Sequence, residues 1–141
     1  MQVSKEKLVE ISGELEMKMK CFIHRQTQEL VTFPDELLFG YIDEDDWIQE
    51  TNKVNSNPEA YIEIERMTAF ESFQVMEDFA NNIKDNWISR QLIEALEGKK
   101  PFAHFNHCIH NMPDHYKKAW FSFRQEKMIE FIQQQLETEN S

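Results

Sequence analysis

His104, His107 and Cys108 stand at i, i+3 and i+4, so a helix would set two imidazoles and a thiol along one face. These are the usual ligands of zinc. The spacing matches no established zinc pattern, however. His110 would point away from His104, although it and His115 lie close by in sequence. A structural zinc site also normally draws on several cysteines, and this chain has only Cys21 and Cys108, far apart and without a CxxC. The simpler reading of the cluster is a solvated, partly basic helix face. No cofactor is expected.

Asp43, Glu44, Asp45 and Asp46 form an unbroken acidic run. Carboxylates in series suit hard cations such as Ca²⁺ or Mg²⁺. An EF-hand loop needs Gly at its sixth position and Glu at its twelfth, and counting from Asp43 those places hold Ile48 and Val54. The run therefore reads as a solvated acidic face, available to a basic partner.

Arg124 falls on one stripe of a C-terminal helix with Trp120, Met128 and Phe131. It either snorkels at the edge of an apolar face or pairs with a carboxylate. The sharper alternative is an anion-reading Arg beside an aromatic platform, assisted by Lys99 and Lys100 at the Gly98 turn. Residues 99–127 carry six Lys and Arg against two acids, which supports a local positive patch. Lys99 and Lys100 are equally well placed simply as cations at a helix C-terminus. Trp120, Phe121 and Phe123 span more than one helix face, so that helix is either buried on two sides or partly exposed as a docking surface. No Gly-rich phosphate loop, GxSxG or HExxH occurs, and no catalytic residue is assigned.

The charge map is lopsided. Of a net charge of −11, residues 29–65 contribute −10, eleven acids being opposed only by Lys53. Affinity for nucleic acid depends on cations meeting phosphates, so a nucleic-acid partner is not expected. No apolar run approaches the roughly 18 residues of a membrane span. The N-terminus leads into an amphipathic segment carrying acids, not into an apolar signal region. A cytoplasmic protein with two reduced thiols and no membrane association is expected.

The elements that must carry these residues are legible in outline. Ser4 caps a helix through Leu8, Ile11 and Leu15, which ends near residues 16–18. Met19, Cys21 and Ile23 then alternate with polar neighbours, and Leu30–Phe33 forms a second β-rich run. Strands are expected at about 19–25 and 29–33 as a hairpin, with a third at about 60–65. Asp35 can cap a short helix through Leu37, Leu38 and Phe39, with Gly40 as its stop. An acidic helix over 43–53 would turn Trp47 and Ile48 inward. Thr68-Ala69-Phe70-Glu71 is a capping box. Asn86 is expected to cap the next helix, Gly98 to supply a left-handed stop, and Pro101 to open a further helix that Pro113 ends. The last helix is expected over Asp114–Leu136.

The fold class is therefore α+β: an N-terminal helix, a small antiparallel sheet of about three strands, and a C-terminal bundle of about four helices. The 141 residues fit one domain, with a helix-plus-sheet half over 1–66, a helical half over 67–137 and a frayed tail over 138–141.

The helical half carries a recognisable signature. Phe70–Phe79, then Leu92-Ile93-Glu94-Ala95-Leu96-Glu97-Gly98-Lys99-Lys100-Pro101-Phe102 with Phe105, and finally Trp120–Arg124, resemble an uncharacterised (UPF-type) family of small acidic bacterial proteins. The resemblance implies a helix, a hairpin, a further strand and a helical half, in a bacterial host. It implies no activity. One departure is local: where the family usually carries Lys, Arg and aliphatics after Phe102, this chain has His104, His107, Cys108 and His110.

The expected function is a non-enzymatic interaction module presenting Asp43, Glu44, Asp45 and Asp46 to a basic protein, as a monomer or homodimer. One alternative is a small-molecule or anion binder, or an enzyme, using Arg124, Lys99 and Lys100 beside Trp120. A second is a metal protein using His104, His107 and Cys108.

Overall fold

Ser4 opens the first helix, α1 (Lys5–Glu16), by accepting a hydrogen bond on its hydroxyl from Lys7 N at 3.2 Å. Leu8, Ile11 and Leu15 recur at helical spacing and are buried. The helix stops at Met17, and the chain reverses through Lys18 at φ 65°. The computed structural model describes residues 1–139, so Asn140 and Ser141 of the expected tail lie outside it. The fold is α+β.

Two hydrophobic alternations follow, as strands β1 (Met19–His24) and β2 (Leu30–Pro34). The third, β3 (Tyr61–Ile64), pairs with β1, and the antiparallel order is β2-β1-β3. The register puts Cys21 and Ile23 of β1 on one face with Ile62 and Ile64 of β3, all buried. The helix α1 packs against β1. The opposite face carries Lys20, Phe22, Val31 and Phe33. Phe22 and Phe33 stack diagonally across the ladder, ring centroids 5.3 Å apart and 19° from parallel.

The β1–β2 turn has no glycine. Gln28 takes the left-handed conformation (φ 62°), and the His24 ring accepts at Nδ1 from Gln26 N and Thr27 N, both at 3.1 Å. A local side-chain acceptor thus does the work that Gly usually does in a tight turn.

Between β2 and β3 the chain is built of short Asp-capped turns. Asp35 Oδ1 accepts from Leu37 N at the start of α2 (Glu36–Phe39), which Gly40 ends at φ 81°. Asp43 Oδ1 accepts from Asp45 N, opening a 3₁₀ turn over Glu44–Trp47 that runs into α3 (Ile48–Ser56). The helix α3 packs on β2 and buries Val54. One helix over 43–53 with Ile48 inward was expected. The first turn is instead 3₁₀, and Ile48 faces solvent while Trp47 is half-buried.

The chain divides into two compact units, Met1–Arg66 with the segment from Ile129 onward, and Met67–Met128. The second comprises α4 (Ala69–Asn82), α5 (Asn86–Glu97), α6 (Pro101–His110) and the first half of α7 (Asp114–Glu139). Thr68 and Glu71 form the capping box of α4, at 3.1 and 3.0 Å. The cap of α5 is Asp85, not Asn86. Its carboxylate reaches Trp87 N and Ile88 N, and Asn86 becomes the first helical residue. Val75, Met76, Phe79, Ala80, Ile88, Leu92, Leu96, Phe105, Ile109, Met112 and Trp120 form the core of this unit. Each such large apolar side chain contributes about 1.5–3 kcal/mol by leaving water.

The left-handed residue expected at Gly98 lies two positions on. Gly98 is extended (φ −91°), and Lys100, capping α6, adopts φ 53°. Pro101 has no N–H and supplies the first residue of α6.

From Ile129 onward α7 belongs to the first unit and buries Ile132 and Leu136 there. No helix among the described residues is long and apolar enough to cross a membrane.

Candidate functional site

The first unit places Asp43, Glu44, Asp45 and Asp46 on its surface, all exposed. Asp43 is committed as a turn cap but keeps its charge in water. Three other acids of the 29–65 stretch are neutralised within the unit. Glu29 meets Lys53 at 3.3 Å, Glu63 meets Lys20 at 3.8 Å, and Asp35 meets Arg66 at 3.8 Å. None of these pairs takes Glu36 or residues 43–46, so five of the eight acids of the stretch outside these three pairs lie on the connection over 36–46, the others being Glu50, Glu59 and Glu65.

Large apolar side chains are exposed on the same segment. Leu37 is 92% exposed and Tyr41 86%, and Leu38, Phe39 and Ile48 are each about half exposed. A single exposed apolar side chain is ordinary. Here five fall within residues 37–48 alongside the four carboxylates Asp43, Glu44, Asp45 and Asp46, with Glu36 just before them, so acidic and apolar side chains share one surface.

Beneath this rim lies a cleft of about 600 Å³. The outer face of β1–β2 supplies Phe22 and Phe33, the connection supplies Leu37, Glu44, Asp45 and Trp47, and α3 supplies Asn52 and Asn55. The two-residue period of the strands puts both Phe rings on one wall. The turn of 3₁₀ helix carries Trp47 and the acids to the same opening.

Arg66 was not singled out by the sequence reading, yet it ties this unit together. Its guanidinium donates to Leu15 O at 3.1 Å and to Met19 O at 3.2 Å, besides pairing with Asp35. It thus spans the end of α1, the start of β1 and the end of β2. Its only signal in sequence is that it is the first cation after the third strand.

In the second unit the proposed aromatic platform is not on the surface. Trp120 is 2% exposed, with Phe105 and Phe79 against it at ring-centroid distances of 4.9 and 5.2 Å. The aromatic ring against Arg124 is instead that of Phe121, 56% exposed, whose centroid lies 5.6 Å from the guanidinium carbon. Lys99 and Lys100 are exposed on the α5–α6 connection. Neither they nor Arg124 line the cleft of about 520 Å³ beside Phe79, Tyr116 and Phe123, or the similar one beside Trp87, His107 and Cys108.

The His/Cys cluster does not assemble. His104 and His107 are exposed, whereas Cys108 is half-buried and packs on the core. His107 Nε2 lies 3.1 Å from Asn111 Nδ2. Among the described residues no three His, Cys, Asp or Glu side chains are grouped to hold a metal ion. Burial raises the Cys108 thiol above its ordinary pKa of 9.0, which disfavours the thiolate needed of a ligand or nucleophile. Cys21 is fully buried, and desolvation, with Glu14 adding, pushes it up to about 12.

A helix-backed three-stranded sheet with an acidic and apolar rim, followed by a helical unit, defines a small α+β protein whose surface is more distinctive than its chemistry. The chain belongs to an uncharacterised protein family, UPF0158, whose model matches residues 36–141. It is similar to a UPF0158 protein of Pseudomonas aeruginosa, 25% identical over 84 residues, which are 60% of this chain and 54% of that one. The chain thus spans about half the length of this curated relative. No solved structure matches.

Proposed function

We propose that the chain is a non-enzymatic interaction module of the bacterial cytoplasm whose 36–48 segment docks a basic region of a protein partner. The observation that carries this reading is the exposure of Leu37, Leu38, Phe39, Tyr41 and Ile48 alongside Glu36, Asp43, Glu44, Asp45 and Asp46. The carboxylates steer a cationic partner and exclude acidic ones. The apolar side chains supply the affinity once water is displaced. The same charge repels phosphate backbones and anionic lipid headgroups, which favours a protein as the occupant. Both cysteines are free, in keeping with a reducing compartment.

The test is affinity capture from a bacterial lysate with the wild-type chain and with Asp43→Asn/Asp45→Asn/Asp46→Asn. Asn retains the cap acceptor at position 43, so the turn should survive and circular dichroism should be unchanged. Basic proteins retained by the wild type and lost with the triple variant, and likewise lost at high salt, would support the reading. Capture indifferent to charge removal would overturn it.

A further inference from the structure

We propose that the cleft beneath the acidic rim is an arginine-reading site, seating one Arg side chain of the partner segment together with a flanking apolar residue. The assignment rests on the docking reading above and names the chemistry by which it selects.

The walls point to a planar cation on an aliphatic stem. Phe22 and Phe33, ring centroids 5.3 Å apart, set two aromatic rings in one wall, and Trp47 adds a third aromatic side chain to the lining. Glu44 and Asp45 line the same cleft, and no ion pair among the described residues engages either one. A guanidinium can lie flat on an aromatic face while its N–H edge meets carboxylates. An ammonium, a compact and strongly hydrated charge, uses that combination less well. The side-chain amides of Asn52 and Asn55 offer further acceptors from α3.

Other occupants fit the lining less well. A phosphate or carboxylate would meet Glu36, Glu44 and Asp45. The one cation in the wall, Lys20, already pairs with Glu63. A bare metal ion lacks a convergent donor set among the described residues. A purely apolar ligand would strip water from the carboxylates without replacing it. The volume of about 600 Å³ exceeds the needs of one side chain and leaves room for a neighbouring residue against Leu37.

The experiment is an amide and indole NMR titration of the ¹⁵N-labelled chain with three tripeptides, Ac-Ala-Arg-Leu-NH₂ and its lysine and citrulline versions. Citrulline keeps the shape of arginine and removes its charge. The arginine peptide should shift the Trp47 indole N–H and the Asn52 and Asn55 side-chain amides. The lysine peptide should bind about threefold more weakly, and the citrulline peptide should not bind measurably. Glu44→Gln/Asp45→Asn should weaken the arginine peptide by about fivefold or more. Asp43→Asn/Asp46→Asn, outside the lining, should weaken it less than about twofold. Equal response to arginine and citrulline, or shifts lying away from Trp47, would overturn the assignment. If charge-dependent capture of basic proteins persists while the arginine peptide leaves Trp47 unmoved, the arginine site falls and the docking reading stands. If capture also ignores charge, both fall.

Discussion

Gln135 and Glu65 hold each other through both ends of one side-chain amide. Gln135 Oε1 accepts from Glu65 N, and Gln135 Nε2 donates to Glu65 O, each at 2.8 Å. Glu65 directly follows β3, an edge strand of the sheet. The amide acts as a one-residue surrogate strand, satisfying a backbone donor and acceptor that would otherwise face water at an open edge.

Replacing Gln135 with Leu removes both bonds. Because the site is exposed, water will satisfy the freed groups, and the loss should be near 1 kcal/mol. Gln135→Glu keeps an acceptor for Glu65 N but sets a carboxylate against Glu65 O, so it should be at least as damaging. Urea unfolding of both variants measures this. A midpoint equal to the wild type would mean that the pair contributes nothing.

Trp120 and Phe121 are neighbours with opposite fates. Trp120→Ala should cost about 3–5 kcal/mol, since it empties a site packed by Phe79 and Phe105. Phe121→Ala, on the exposed side of α7, should cost well under about 1 kcal/mol. Thermal unfolding followed by near-ultraviolet circular dichroism separates them, and similar losses for the two would contradict the burial assignment.

The Cys21 thiol has a pKa of 9.0 when unfolded and about 12 in the fold, raised chiefly by burial. Above pH 9 the unfolded chain gives up this proton while the folded chain keeps it, so stability falls as pH rises towards about 12. Below pH 9 the contribution is fully present. Cys21→Val should flatten that part of the alkaline stability curve relative to wild type. With a disulfide reagent at neutral pH, Cys108 should react slowly and Cys21 only on unfolding. Prompt modification of both thiols would refute this.

Lys100 bears the left-handed strain that glycine would carry freely. Lys100→Gly should therefore raise stability by roughly 0.5–1 kcal/mol. Gly98→Ala should be nearly neutral, since Gly98 is extended and an added Cβ would meet only His104 Nδ1 at 4.0 Å. Chemical denaturation of the two variants gives the comparison, and the reverse order would show the turn to be misread.

Much of the fold was legible because periodicity and caps act locally. The alternation from Met19 to Ile23, the Ser4 cap and the Thr68–Glu71 box each need only a few neighbouring residues to be read. The Asp85 cap was missed by one position because Asn86 beside it is an equally good cap by residue type. The Gly98 stop was misplaced because Pro101 fixes where α6 begins, and that leaves Lys100 to make the turn.

The candidate site was half legible. The acids are plain in sequence, but the cleft is not. It depends on Phe22 and Phe33 sharing a face, which follows from a strand register, and on Trp47 sitting at the end of a 3₁₀ turn. Trp120 was left open between core and platform for a related reason. Helical spacing places it on a stripe with Arg124 but does not say which side of α7 the other helices cover.

The acidic segment hangs on turns closed by its own Asp35 and Asp43 side chains, not on ladder bonds to the sheet. What such a segment displays can therefore change, residue by residue or in length, without disturbing how the rest folds.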